Sequence, residues 1–126
     1  MATIVKTNYE SGGLLYELYE DTIDKKITRT AKISACSDDT NENASVIKIP
    51  NTIEYEHNKY IISGLKETPF TKCKKLKVFR VESDADAFST TNGVLYSKDK
   101  KILYCYPIKK EETSFTVSDS TTTIYG

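Results

Sequence analysis

The stretch GLKETPFTKCKKLKVFRV, residues 64–81, decides the fold because its apolar residues change period half-way along. After Pro69, three apolar residues recur at every third position, which is typical of a helix-like turn with one buried face. Two more then alternate with polar residues, which indicates a short strand. We therefore expect a turn-and-strand unit with one shared core. The predicted structural core is Phe70, Cys73, Leu76, Phe79 and Val81.

The basic residues of the same stretch lie between these apolar positions. They run from Lys72 to Arg80 and are predicted to face solvent. A nucleic-acid patch at Lys72–Arg80 is the alternative interpretation. Bases normally stack on exposed aromatic rings, and the two nearby rings, Phe70 and Phe79, are assigned to the core. Nucleic-acid binding is therefore the weaker of the two hypotheses.

Length and charge limit what the whole chain can be. The 126 residues suit a single domain, and 18 basic residues balance 18 acidic ones. A net charge of zero favours neither a polyanion nor an anionic membrane. No apolar run reaches the length of a membrane span, and the N-terminus lacks the apolar stretch of a signal peptide. We expect a cytoplasmic protein, or a cell-surface one if the chain belongs to a longer protein.

Alternating apolar residues predict several short strands and two hairpins. The first hairpin spans residues 53–62, with its turn near His57, and the second spans residues 94–106. Residues 36–45 read as a polar loop. We expect residues 1–12 to form an N-terminal tail and residues 13–126 to form one domain. Its first strands, in residues 13–35, should cap or pair with the rest.

An internal repeat is visible at three apolar-x-apolar strands. They begin at Ile47, Phe79 and Phe115, and each leads through a turn and a polar stretch to another apolar residue. A weaker fourth unit begins at Ala31. The two predicted hairpins fall between the units and account for their uneven spacing. This pattern predicts a strand ladder with inserted hairpins.

The quoted stretch resembles a leucine-rich repeat of the BspA type. The positions that carry the resemblance are Gly64, Phe70, Cys73, Leu76, Val78 and Val81, and residues 92–107 resemble the hairpin that often interrupts such repeats. The similarity covers about residues 30–126. It implies a mostly β fold, a short irregular leucine-rich-repeat-like solenoid with inserted β-hairpins. It also implies protein binding, with surface recognition or adhesion in many members.

Two departures from the BspA-type pattern bear on function. Pro69 stands where the family usually has a helix-compatible residue, so we expect that turn to be distorted. The chain also stops where another turn would follow its last predicted strand. An uncapped repeat end offers a surface for self-association or for docking in a larger assembly, and a structural subunit is therefore an alternative function.

Catalytic chemistry finds little support in the sequence. His57 is the single histidine, and Cys36, Cys73 and Cys105 are too widely spaced for a zinc motif. We read the cysteines as small buried residues, with one disulfide as the minority interpretation. Asp84 and Asp86 are read as a solvated turn. We expect no enzyme activity, no catalytic residues, no cofactor and no metal.

Five tyrosines give the remaining functional hypothesis. Exposed tyrosine is a favourable interface residue, so these side chains could form a protein-binding face. The alternative is that they cover the hairpin bases and the edge of the core. The tyrosines are Tyr55, Tyr60, Tyr96, Tyr104 and Tyr106. The sequence thus predicts a non-enzymatic protein-interaction module whose partner is an unidentified protein.

Overall fold

The computed structural model describes residues 2–82, 87–107 and 121–124. Within those residues the chain forms eleven strands and one short helix, which confirms the prediction of a mostly β fold. The elements are β1 (Ala2–Ser11), β2 (Leu14–Ile23), β3 (Lys26–Cys36), α1 (Asp38–Asn43), β4 (Val46–Ile49), β5 (Thr52–Tyr55), β6 (Asn58–Leu65), β7 (Val78–Val81), β8 (Phe88–Thr91), β9 (Val94–Ser97), β10 (Ile102–Cys105) and β11 (Thr123–Ile124).

The described strands form three sheets. The largest has the order β1-β2-β3-β6-β5, and a second has the order β11-β10-β9-β8. The third is the parallel pair β4-β7. Parallel pairing of β4 with β7 shows the repeat directly, because these two strands begin successive units and lie side by side in the same direction. β3 also pairs parallel with β6.

The five-stranded sheet curls until its two edge strands meet. β1 and β5 are at opposite ends of the strand order, yet the Tyr9 hydroxyl donates a hydrogen bond to the Glu54 carbonyl oxygen at 2.9 Å. The rings of Tyr9 and Tyr55 meet edge-on, with centroids 5.0 Å apart. The curled face encloses buried side chains from β2, β3, β5 and β6. They are Leu14, Tyr16, Leu18, Ala31, Ile33, Ile53, Tyr60 and Ile62.

Residues 1–12 were expected to form a tail, but Ala2–Ser11 form strand β1. It pairs antiparallel with β2, with register shifts between Ile4 and Lys6 and between Lys6 and Tyr9. The strand was missed because both of its faces are exposed as far as Asn8, so no apolar alternation marks it. The ladder with β2 and the Tyr9 contact hold it in place.

Two tight turns set the register of the hairpins. Glu56 and His57 join β5 to β6 with positive φ angles of 48° and 67°. Asn92 and Gly93 join β8 to β9 with φ angles of 52° and 79°. Two consecutive positive φ angles give the backbone twist that matches a two-residue hairpin. The Asn-Gly turn adds a strand, β8, that the sequence analysis did not assign.

The segment read as a polar loop contains helix α1. Ser37 is its N-cap, and the Ser37 Oγ accepts a hydrogen bond from the Thr40 backbone N–H at 3.3 Å. Asp38 and Asp39 lie in the first turn, where carboxylates favour the positive end of the helix. No residue of α1 is buried. The helix therefore forms from its cap and its acidic first turn, without an apolar stripe.

Residues 66–77, which we call the quoted turn, connect β6 to β7 and contact α1. Phe70, Cys73, Leu76 and Phe79 are buried, and Val81 is half-buried at the edge of this core. The rings of Phe70 and Phe79 meet edge-on at 4.9 Å. The Lys74 backbone N–H donates to the Asn41 carbonyl oxygen at 2.9 Å and ties the turn to α1. Residues 66–77 around Pro69 form turns and no helix.

Some predicted features lie outside the described residues. These are the strand at Phe115 and the pair Asp84 and Asp86. The strand of the weaker fourth unit, which begins at Ala31, belongs to β3 in the five-stranded sheet rather than standing beside β4. Over the residues that are described, no helix is long and apolar enough to cross a membrane.

Candidate functional site

The structure does not assemble the five predicted tyrosines into one exposed face. Tyr60 and Tyr96 are only 1% and 0% exposed, which excludes them from direct contact with a partner. Tyr55 is half-buried between Tyr9 and Tyr60. The tyrosine-face hypothesis is therefore wrong for Tyr60 and Tyr96. They cover the core because their rings fill the curled sheet and the second hairpin.

Tyr104 and Tyr106 remain as candidate contact residues. The Tyr104 ring packs edge-on against Phe88 at 5.6 Å, while Tyr106 is 38% exposed. Both line an open groove of about 240 Å³ between the end of β10 and the quoted turn, where Pro69 and Phe70 form the opposite wall. The groove is mixed in polarity and offers a surface for a small apolar side chain.

A second candidate surface is the solvent side of the β4-β7 pair. The register places Lys48 directly opposite Arg80 and Val46 directly opposite Val78. Lys48 and Arg80 are exposed, and Val46 is 44% exposed. Among the described residues neither cation forms an ion pair. We call Lys48 and Arg80 the basic row.

The predicted Lys72–Arg80 patch is less basic than its sequence indicates. Lys74 Nζ lies 3.0 Å from Glu42 Oε1, and Lys72 lines a groove of about 350 Å³ that also contains Asp38 and Glu42. α1 thus brings carboxylates to the lysines of the turn. This local neutralisation weakens the attraction that a phosphate backbone needs.

The three cysteines are free thiols, and two of them touch. Cys36 Sγ and Cys73 Sγ are 3.5 Å apart, and Cys73 Sγ also lies 3.5 Å from Asn41 Oδ1. The contact with Cys73, together with burial, raises the pKa of Cys36 far above its usual range, while the shared proton lowers the pKa of Cys73. Burial raises the pKa of Cys105 to about 12.

Among the described residues, the titratable groups that interact with Cys36 are Cys73, Cys105 and Tyr16, and none of them is a histidine or a carboxylate. His57 lies exposed at the β5-β6 turn, in keeping with its predicted place at a hairpin tip. The described residues also contain no group of three or more histidine, cysteine, aspartate or glutamate side chains placed to hold a metal ion. Cys36 and Cys73 therefore pack as small apolar side chains.

One carboxylate is buried in an ion pair. Glu17 on β2 is 4% exposed, and its Oε2 accepts a hydrogen bond from Lys66 Nζ at 2.6 Å. This bond lowers the pKa of Glu17 and raises that of Lys66. It links β2 to the start of the quoted turn and so joins the first strands to the repeat. We assign the ion pair a structural role, because each charge already has its partner within the chain.

Comparisons with known proteins agree with this architecture. No family model and no curated protein matches the chain. A leucine-rich repeat protein from Eubacterium ventriosum is 29% identical, with a TM-score of 0.53 over 64% of this chain and 19% of that one. The pneumococcal vaccine antigen PcpA is 26% identical, with a TM-score of 0.57 over 67% of this chain and 18% of that one.

The chain has a leucine-rich-repeat-like fold. That confirms the predicted fold class of a short, mostly β, repeat-like structure with inserted hairpins. The chain spans less than a fifth of the length of either similar structure. The likeness therefore concerns only a part of each of those proteins.

The sequence analysis missed the basic row, although its own repeat alignment contains the signal. Ile47-Lys48-Ile49 and Phe79-Arg80-Val81 begin two of the aligned units, so Lys48 and Arg80 occupy equivalent positions. Equivalent strands of successive repeats pair in register, which makes equivalent residues direct neighbours. The leucine-rich-repeat-like pairing of β4 with β7 produces this neighbourhood.

Proposed function

We propose that the chain is a non-enzymatic module that binds another protein through the surface of its repeats. The observation that carries the proposal is the leucine-rich-repeat-like fold, supported by the similarity to a solved leucine-rich repeat protein and to the antigen PcpA. Repeat proteins offer extended surfaces on which a partner can lie. The exposed basic row and the groove beside Tyr106 support the proposal, because both are open to a partner.

The finer version of the proposal is a BspA-type repeat with a role in surface recognition or adhesion. The residues that support it are those of the quoted stretch, from Gly64 to Val81, and the hairpin at residues 92–107.

A structural subunit that docks through its C-terminal end is the second hypothesis. Since residues 108–120 lie outside the described chain, no observation favours it. Glu42 beside Lys74 weighs against nucleic-acid binding at Lys72–Arg80.

The test is a pull-down with the tagged chain from extracts of the source cells and from their isolated surface proteins. Washes at low and then high salt separate specific from electrostatic capture, and both protein and nucleic acid are read out. The matched control is the destabilised Phe70→Ala variant, used at a temperature at which circular dichroism shows it unfolded and the wild type folded. We expect a discrete protein that survives high salt with the wild type alone. Equal recovery with the control would contradict the proposal.

A further inference from the structure

We propose that the open edge of β4, together with the basic row, binds an extended acidic segment of a partner protein as an added strand. The inference rests on the proposed function and specifies its surface and the chemistry of its partner. Three features of the described residues carry it. They are an unpaired strand edge, a groove at the end of that edge and two cations in register that form no ion pair within the described chain.

The first feature is the free backbone of β4. The carbonyl oxygens of Ser45 and Ile49 accept hydrogen bonds from the backbone N–H groups of Val78 and Glu82 on the β7 side. Backbone groups alternate between the two edges of a strand, so those of Val46 and Lys48 point to the opposite edge. No described strand pairs with that edge. Such an edge is a template for an added strand.

The second feature is a groove at the C-terminal end of this edge. It has a volume of about 300 Å³ and lies between Ser11 and Gly12, where β1 turns into β2, and Lys48 of β4 with the following Pro50. Leu14 and Tyr16, which belong to the buried core, form part of its lining. The groove thus joins side chains of the buried core to Lys48 and Pro50, at and just beyond the end of the open edge of β4. That combination suits an extended peptide better than a folded surface.

The third feature is charge. Like charges directly opposite each other on neighbouring strands destabilise a sheet, and Lys48 opposite Arg80 is such a pair. A carboxylate on a strand added beside β4 would lie in the same row, next to Lys48. It would neutralise part of the repulsion and gain charge-assisted hydrogen bonds. Charge complementarity thus favours an acidic occupant over a neutral or basic one.

The rows on either side of the basic row define a sequence preference for that occupant. Val46 and Val78 form the preceding row, so an apolar residue fits two positions from the carboxylate. Glu82 lines the groove near Pro50, on the other side, and disfavours a second acidic residue there. The expected pattern is one acidic residue with an apolar residue two positions away on one side and a non-acidic residue two positions away on the other.

A selection of peptides from a random 12-residue phage-display library tests the inference. The wild type, a Lys48→Glu/Arg80→Glu double variant and a Lys98→Glu control are screened in parallel. Lys98 is exposed at the β9-β10 hairpin, away from β4. We expect the wild type and the control to enrich the same acidic pattern. The best peptide, measured by fluorescence anisotropy, should bind the double variant about tenfold more weakly or worse.

Folding is controlled for with the single Lys48→Glu variant. That change turns the repulsive pair into an attractive one, so its Tm should not fall while its affinity for the acidic peptide does. A matched peptide with lysine in place of the acidic residue should bind the Lys48→Glu variant better than the wild type. Such a reversal cannot come from a general loss of structure.

Several results would overturn the inference. One is selection of peptides without an acidic residue, and another is equal affinity of the best acidic peptide for wild type and double variant. A third is a Lys48-dependent homodimer or Lys48-dependent binding of a 12-nucleotide single strand, without peptide enrichment. In all three cases a specific partner from the pull-down would still support the proposed function. Absence of any such partner would instead refute the proposed function itself.

Discussion

The five-stranded sheet and the β4-β7 pair place charged residues in opposite ways. Across the five-stranded sheet, charged residues that face each other have opposite signs, whereas in the β4-β7 pair they have the same sign. The opposite pairs are Glu17 with Lys32, Glu20 with Arg29, and Glu54 with Lys59. The like pair is Lys48 with Arg80. The first arrangement stabilises a sheet and the second destabilises it.

The two regions also differ in whether their strand edges and charged side chains find partners within the described chain. The five-stranded sheet pairs its charges and brings its two edges together through Tyr9 and Glu54. The β4-β7 pair leaves cations unpaired and, among the described residues, has an open edge on β4. The first arrangement stabilises the fold, and the second leaves charged side chains and strand backbone exposed within the described residues.

The largest effect should come from the core that both regions share. Phe70→Ala removes a buried ring packed against Phe79, and we expect a loss of about 3–5 kcal/mol in the free energy of unfolding. Urea denaturation followed by circular dichroism and by tyrosine fluorescence measures it. Lys75→Glu, on the solvent side of the same turn, is the control and should cost less than about 0.5 kcal/mol. Two separate transitions would show that the two regions fold independently.

The closure of the five-stranded sheet gives the next largest effect. Tyr9→Ala removes the ring that meets Tyr55 and the hydroxyl that donates to Glu54, and we expect a loss of about 2 kcal/mol. Tyr9→Phe removes the hydroxyl alone and should cost about 1 kcal/mol. Amide hydrogen exchange should quicken in β1 and β5 in both variants. Unchanged exchange in both strands would mean that Tyr9 does not hold the edges together.

The Glu17–Lys66 pair should make stability depend on pH. The pKa of Glu17 is lowered below 4.5 in the folded state, so its contribution is complete above the pKa of the unfolded chain. It is lost as the pH falls from about 4.5 through the lowered folded value. Glu17→Gln should therefore lower the Tm at pH 7 by a few degrees and flatten the acid limb of Tm against pH. Parallel curves for variant and wild type would refute the assignment.

The smallest expected effects are two changes in the free energy of unfolding that have opposite signs. Lys48→Glu should raise the free energy of unfolding by about 0.5 kcal/mol, while Glu20→Lys should lower it by a similar amount. Lys48→Glu turns a like-charged pair into an oppositely charged one, and Glu20→Lys does the reverse. Urea denaturation in 20 mM and in 500 mM NaCl measures both, and the two differences should shrink at high salt because exposed charges are screened. If both variants changed the free energy of unfolding in the same direction, the two sheets would not differ in how they pair charges.

The sequence predicts those parts of the fold that have a local signal. The spacing of Phe70, Cys73 and Leu76 marks one buried face, and the alternation around Tyr60 and Ile62 marks a hairpin strand. β1 has no such signal because nothing covers either face over most of its length. α1 has no apolar stripe, so apolar periodicity predicts a loop there, and its local signal is the N-cap residue Ser37.

The candidate site was harder to predict because it depends on which strands become neighbours. Composition favoured tyrosine as the contact residue, but Tyr60 and Tyr96 are needed to fill the interior. Lys48 and Arg80 are 32 positions apart in the chain and become direct neighbours only when β4 and β7 pair in register. The repeat alignment carries that information, whereas single-residue exposure rules do not.

The contact between Tyr9 and Glu54 also has a consequence for synthesis on the ribosome. The two residues are 45 positions apart, so β1 cannot be held by β5 until the chain has been made beyond that point. β3 likewise waits for β6, which ends at Leu65. Contacts between distant residues form late because they must first overcome the entropy of loop closure. β1 can therefore pair with β2 early, while its contact with β5, which closes the sheet, forms late.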